Sequence, residues 1–166
     1  MIEFKIYTAA SDLPENEWNG LTRHDIFLQT HYLEAFEKAC PNTICMYYVG
    51  VFNQNQLVGV AVIQRVQLYL KDMFRHEGAT RFKEALQNTL SKFLKGNILV
   101  VGNLTHTGQH GIFVDQTKIS QTQFIEKIFE ACEELTKWIR IERKRKIRLI
   151  LFKDYFKNDS IHLEQS

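Results

Sequence analysis

Residues 27–40, FLQTHYLEAFEKAC, lead into residues 43–70, TICMYYVGVFNQNQLVGVAVIQRVQLYL, and this stretch decides the fold. Its first half predicts a short helix beginning near Thr30. Tyr32, Leu33, Phe36 and Ala39 supply an inward stripe at i, i+3, i+4 spacing, and Pro41 marks the end. Residues 44–52 are apolar on both alternating faces, the pattern of a strand covered on both sides. Asn53, Gln54, Asn55 and Gln56 make a polar turn, and residues 57–70 return as a second strand, long enough to invite a bulge near Gly59. At its far end Arg65, Gln67 and Tyr69 alternate against Val66, Leu68 and Leu70, which predicts one wet face there.

Upstream, residues 3–7 alternate as a first strand. Asp12 is placed to cap a short helix, with Pro14 in its first turn, Glu15 at the capping-box spacing, and Trp18 and Leu21 on its apolar side. Downstream, residues 80–94 predict an amphipathic helix through Phe82, Ala85, Leu86, Leu90, Phe93 and Leu94, closed by Gly96. Residues 97–103, NILVVGN, predict a buried strand, and residues 104–111 a glycine-bearing loop. The strongest helix spans 120–143, with Phe124, Ile128, Ala131, Leu135, Trp138 and Ile139 facing inward and acidic residues preceding basic ones. A last strand covers 147–152. The order β-α-α-β-β-α-β-α-β, with an antiparallel hairpin at its centre, predicts a mixed sheet in an α/β (α+β) three-layer domain. One domain over 1–156 and a polar tail over 157–166 are expected.

Composition narrows the function classes. The chain has 166 residues, 45% hydrophobic and 24% charged, as ordinary folded domains do. A net charge of +2 gives no global argument for nucleic acid or a membrane surface. Three cysteines without CxxC spacing suit a reducing compartment, and the N-terminus lacks the basic segment and apolar run of a signal peptide. A cytoplasmic protein without a membrane span is expected.

The order of elements resembles the GNAT-type acyl-CoA N-acyltransferase fold, and within it the Fem-like, peptidoglycan-biosynthesis-type branch. The residues that carry the resemblance are Trp18-Asn19-Gly20-Leu21, the helix from His31 to Glu37, and the hairpin pieces Tyr48-Val49-Gly50-Val51-Phe52 and Leu57-Val58-Gly59-Val60-Ala61. Val100-Val101-Gly102-Asn103-Leu104, Thr107-Gly108-Gln109-His110-Gly111 and Phe152-Lys153-Asp154-Tyr155 extend it. The resemblance implies transfer of an acetyl or aminoacyl group from a small-molecule donor, acyl-CoA among them, to an amine. It also implies that this chain is the N-terminal part of the fold, without the last helix and strands. The donor's pyrophosphate would then lie on Gly102, Asn103, Thr107, Gly108, Gln109, His110 and Gly111. This loop departs from the family's Arg/Gln-x-x-Gly-x-Gly/Ala spacing and does not run straight into a helix, since Ile112-Phe113-Val114-Asp115 intervene. The alternative is a non-catalytic domain of the same fold, acting as a substrate groove or an interaction module. A partner domain or a second copy would then cover the last strand.

Other residues are weighed in the same way. His106 and His110 lack a Cys or carboxylate cluster at ligand spacing, so no metal is expected. The run Arg140, Arg143, Lys144, Arg145, Lys146 and Arg148 reads as an anion patch or, preferably, as a helix C-terminus that favours cations. Nucleic acid is not expected as a partner. Glu34 and Glu37 read as solvated charges rather than general bases, and Cys40 and Cys132 as core thiols. Tyr47, Tyr48 and Tyr69 either line a groove or belong to the core. No residue is assigned as catalytic.

Overall fold

In a computed structural model, residues 1–69, 95–104 and 111–153 are described. Strand β1 (Ile2–Tyr7) is followed by helices α1 (Glu15–Leu21) and α2 (Thr30–Ala39). The hairpin of β2 (Ile44–Asn53) and β3 (Gln56–Tyr69) comes next, then β4 (Lys95–Val101), β5 (Ile112–Val114), α3 (Gln121–Glu142) and β6 (Ile147–Phe152). The six strands form one sheet in the order β1-β2-β3-β4-β6, with β5 on β3. Every pairing is antiparallel except β4 with β6. The helix expected over 80–94 lies outside the described residues.

The sheet is covered on both faces, which explains why β2 is apolar at successive positions. Tyr47, Val49 and Val51 point towards α3 and pack with Phe124, Ile128, Ala131, Leu135 and Ile139. Met46 and Tyr48 point the other way, into a second core with Trp18, Leu28, Leu33 and Leu13. The architecture is the expected mixed three-layer α/β domain. α3 has the expected inward stripe, and Ser120 opens it with a reciprocal capping box to Gln123.

Four local expectations change. Asp12 does not cap α1. It closes a 3-10 turn (Ala10–Asp12), and Pro14 takes the N-cap position, its carbonyl accepting from Trp18 N at 2.8 Å. Ala39 of α2 faces solvent, because the helix ends before a further turn could bring it under the sheet. Gly96 does not end a helix; it lies within β4, where a Cβ would sit 3.2 Å from the Arg148 side chain. Arg65 does not lie on a wet face, since it is only 8% exposed and shares a cavity with the chain leaving α3, while Gln67 is half-buried.

The expected bulge is present one residue early. Val51 pairs with Gly59 and Phe52 with Leu57, so Val58 is the extra residue. Bulging brings Val58 and position 59 towards the same helix, and Val58 already packs in the α3 core. A Cβ on Gly59 would meet the Phe124 ring at 2.6 Å. Glycine is what lets α3 lie this close to β3.

Candidate functional site

β4 and β5 lie along the same edge of β3, one after the other. Ile63 of β3 pairs with Val101, and Ala61 pairs with Ile112. Between these partners the chain leaves the sheet at Gly102 and returns at Gly111. Both legs bond the same residue of β3: Gly102 N–H donates to the Val62 carbonyl at 2.8 Å, and Val62 N–H donates to the Gly111 carbonyl at 2.7 Å. Gly102 adopts φ +116°, open to glycine but strained for other residues. On the far side of β4, the residue after β6 is still attached: Lys153 N–H donates to the Val101 carbonyl at 3.0 Å. Among the described residues no strand pairs with the other edge of β5. Among the described residues, then, β4 has a partner on both edges and β5 on one, with the excursion between them.

The root of the excursion is fixed from inside. Gln64 is fully buried; its Nε2 donates to Asn103 Oδ1 at 3.0 Å and its Oε1 accepts from Leu104 N–H at 2.9 Å. A Gln64→Leu substitution conserves bulk but removes both bonds. The expected loss is about 1–3 kcal/mol of unfolding free energy, since buried polar groups are costly to leave unpaired. Urea denaturation checks the loss. Faster amide hydrogen exchange at Leu104 would locate it.

β5 runs into α3 through residues 115–120, the junction where a helix N-terminus could meet an anion. Within residues 115–120 most N–H donors are already used. Asp115 Oδ1 accepts from the Thr117 hydroxyl at 2.6 Å and from Thr117 N–H at 3.1 Å, and the Asp115 carbonyl accepts from Lys118 N–H and Ile119 N–H. Ser120 N–H donates to Gln123 Oε1, and Gln123 N–H to Ser120 Oγ. The Thr117 bonds, helped by Lys118, hold the Asp115 carboxyl below its ordinary pKa, so it stays anionic at neutral pH. This carboxylate adds a negative charge to the turn, and residues 115–120 contain no glycine.

A cleft of about 820 Å³ opens on the α1 side of β5. Glu17 and Gly20 of α1, Arg23 and His24 after it, the hairpin turn at Asn55, and Phe113 of β5 contribute to its walls. The His24 ring lies 4.3 Å, centroid to centroid, from Phe113. Glu17 and His24 are thus the titratable groups of α1 and its following loop that border the opened sheet. The sequence reading did not single them out. Their one signal is placement on and just after a helix end that the hairpin turn approaches, and that is a tertiary property.

Of the residues expected at the donor site, Gly102, Asn103 and Gly111 are brought together at the neck of the excursion. Thr107, Gly108, Gln109 and His110 lie outside the described residues, as does His106. Glu37 is half-buried rather than fully solvated, and its Oε2 accepts from Ala10 N–H at 2.8 Å and from the Tyr48 hydroxyl at 3.2 Å. Burial first, and Glu37 second, push the Tyr48 hydroxyl well above its ordinary pKa, so it remains the donor. Glu34 pairs with Lys38 on the surface. Tyr47 and Tyr48 are core residues. Cys132 is a core thiol, pushed up to about 12 by burial, whereas Cys40 is half-buried at the end of α2. Among the described residues no group of three metal-ligating side chains occurs, and no helix is long and apolar enough to cross a membrane.

No family model and no curated protein matches the chain. Solved structures do. The chain is similar to a ribosomal-protein-alanine N-acetyltransferase from Brucella melitensis biovar Abortus 2308, with 8% identity, a TM-score of 0.53, and coverage of 99% of this chain and 87% of that one. It is also similar to an aminoglycoside acetyltransferase from an uncultured soil metagenomic sample (13% identity, 98% and 83% coverage, TM-score 0.49). A possible acetyltransferase from Clostridium difficile 630 gives 12% identity, 99% and 86% coverage and a TM-score of 0.46. Identities this low speak to architecture alone, and the first match carries that argument together with the strand order and the opened sheet. The chain has the GNAT-type acetyltransferase fold.

Proposed function

We propose that the chain is an acyltransferase-type protein whose acyl donor lies along the free edge of β5 and whose amine acceptor enters through the cleft beside α1. The observation that carries this reading is the change of strand at Val62, beyond which β5 is paired on one edge only among the described residues. A donor arm with amide groups can add to such an edge as an extra strand would. The acceptor amine would attack the acyl carbonyl carbon, the donor's thiol or alcohol would leave, and a base would take the ammonium proton. Glu17 and His24 are the groups we assign to that proton. The donor is acetyl or aminoacyl, and Gly102, Asn103 and Gly111 are the described residues we assign to its site.

The turn at 115–120 offers a pyrophosphate few N–H groups, because those of Thr117, Lys118, Ile119 and Ser120 are held within it. Acyl-CoA would therefore be held by its arm rather than by its phosphates. Isothermal titration tests this with acetyl-CoA and with S-acetylpantetheine, which carries the same arm without the pyrophosphate. The two are expected to bind within about tenfold of one another, a difference under 1.4 kcal/mol. Absence of binding by both at millimolar concentration would overturn the reading.

A second reading, a non-catalytic domain that docks a partner, is favoured by β6. Leu149 and Leu151 share one face of this strand and are 56% and 40% exposed. Light scattering separates the two readings: concentration-dependent association without donor binding supports the second.

A further inference from the structure

We propose that a cavity at the C-terminal end of α3 binds a small phosphate-bearing molecule through Arg65, Arg143 and Arg145. The cavity, of about 440 Å³, lies between the start of β2, Arg65 of β3 and the chain leaving α3. That is within the size range of small-ligand sites.

Arg65 is the observation that demands a ligand. Its guanidinium is permanently charged, yet the residue is only 8% exposed. Nη1 donates to Asn97 Oδ1 at 2.7 Å and Nη2 to Cys45 Sγ at 2.6 Å, while Nε has no hydrogen-bond partner. No ion pair among the described residues involves it. Burying a charge this far is unfavourable unless a counter-charge is close. Among the described residues that line this cavity, Arg143 and Arg145 carry the same sign and Glu37 alone the opposite one.

Arg143 and Arg145 line the same cavity. The Arg143 guanidinium lies 5.5 Å from the Trp138 ring centre, and Trp138 packs edge-on against Tyr47. The chain then reverses at Lys144, φ +50°, and Arg145 N–H reaches back to the Ile139 carbonyl. A helix C-terminus favours cations and accounts for Arg143 and Arg145 by themselves. It does not account for Arg65, which comes from the middle of the sheet.

The carboxylate at the cavity wall, Glu37, is committed to Ala10 N–H and the Tyr48 hydroxyl. Three guanidinium groups and one engaged carboxylate thus line the cavity. The exposed forks of Arg143 and Arg145 match a phosphate dianion. The Arg65 charge lies behind them with its Nη groups already bonded, and the Tyr47 hydroxyl beside Arg65 and Arg143 is a further polar contact. A polynucleotide backbone would meet Arg143 and Arg145 but not the deeply placed Arg65, so the geometry favours a small molecule. The 22 residues of α3 put this site about 33 Å from the turn at 115–120, so the assignment does not rest on the proposed acyl-transfer site.

Titration of the full chain with glycerol 3-phosphate and with inorganic phosphate, in chloride buffer at constant ionic strength, tests the site. Saturable binding is expected for both. The exposed-position double variant Arg143→Ala/Arg145→Ala should weaken it by at least about tenfold. Arg65→Lys keeps the charge, loses the fork and should weaken it too; should that variant not fold, the double variant still decides. No saturable binding up to about 10 mM, or equal binding by wild type and the double variant, overturns the proposal.

Discussion

Trp18→Ala is expected to cost about 3–5 kcal/mol of unfolding free energy, a large share of the 5–15 kcal/mol typical of a domain. Trp18 is completely buried and sits edge-on to Tyr7 and Tyr48, with ring centres 6.4 and 6.3 Å away. Its Nε1 donates to the Leu28 carbonyl at 2.8 Å, which pins the 3-10 turn (Ile26–Leu28) leading into α2. The residues around it tie the same two helices together. Asn19 and Thr30 exchange two bonds of 2.9 Å, and Gln29 Nε2 donates to the Thr22 carbonyl at 2.7 Å. Truncation at Trp18 thus opens a cavity, orphans a buried carbonyl and loosens the helix that walls the 820 Å³ cleft. Trp18→Phe separates these contributions: it keeps most of the packing, loses the bond, and should cost about 1–2 kcal/mol. Urea denaturation of both variants checks the expectation, and a loss below about 1 kcal/mol for Trp18→Ala would refute it.

How far this architecture could be read in the sequence depended on the length of each signal. The α3 stripe runs over five turns and its capping box is spelled out as Ser120 and Gln123, so helix and N-terminus were both legible. β6 was legible to the residue, and the hairpin almost so, its bulge falling at Val58 rather than Gly59. β5 was not, because three residues are too few to show an alternation. Its pairing is set by β3, and the excursion at 102–111 separates it in sequence from the preceding strand. Gly96 misled because a glycine after an amphipathic run signals a helix end equally well when it lies inside a strand. Arg65 misled for a different reason: an arginine alternating with valine and leucine reads as a wet face, and only the end of α3 covers it.

The same limit applies to the site. Gly102 and Gly111 were legible as a glycine-bearing loop, but their shared attachment to Val62 was not. That attachment turns two loop residues into the closing point of the sheet. Glu17 and His24 carry no motif, and they matter because α1 and its following loop stand over β5. Fold was read from periodicity, which is local. The candidate chemistry rests on which loops the sheet brings together, which is not.

Gly111→Ala is expected to give the largest change at the site itself. A Cβ at position 111 would collide with the Gly102 Cα and lie 2.9 Å from both Asn103 N and the Gly102 carbonyl carbon. These are backbone atoms, so no rotamer change can relieve the contact. The two legs of the excursion must part, which strains the bonds that Val62 makes to Gly102 and Gly111. Overpacking of this kind costs about 1–3 kcal/mol, and the absence of a flexible neighbour places this case at the upper end. Gly20→Ala is the matched control. Nothing lies within 4 Å of a Cβ there, and alanine within α1 should stabilise by about 0.5–1 kcal/mol. If the neck shapes the donor site, Gly111→Ala should also weaken S-acetylpantetheine binding under conditions where near-ultraviolet circular dichroism shows the core intact. A stable Gly111→Ala protein with wild-type binding would mean that the two legs part without consequence, and the opened sheet would then lose its place as the centre of the site.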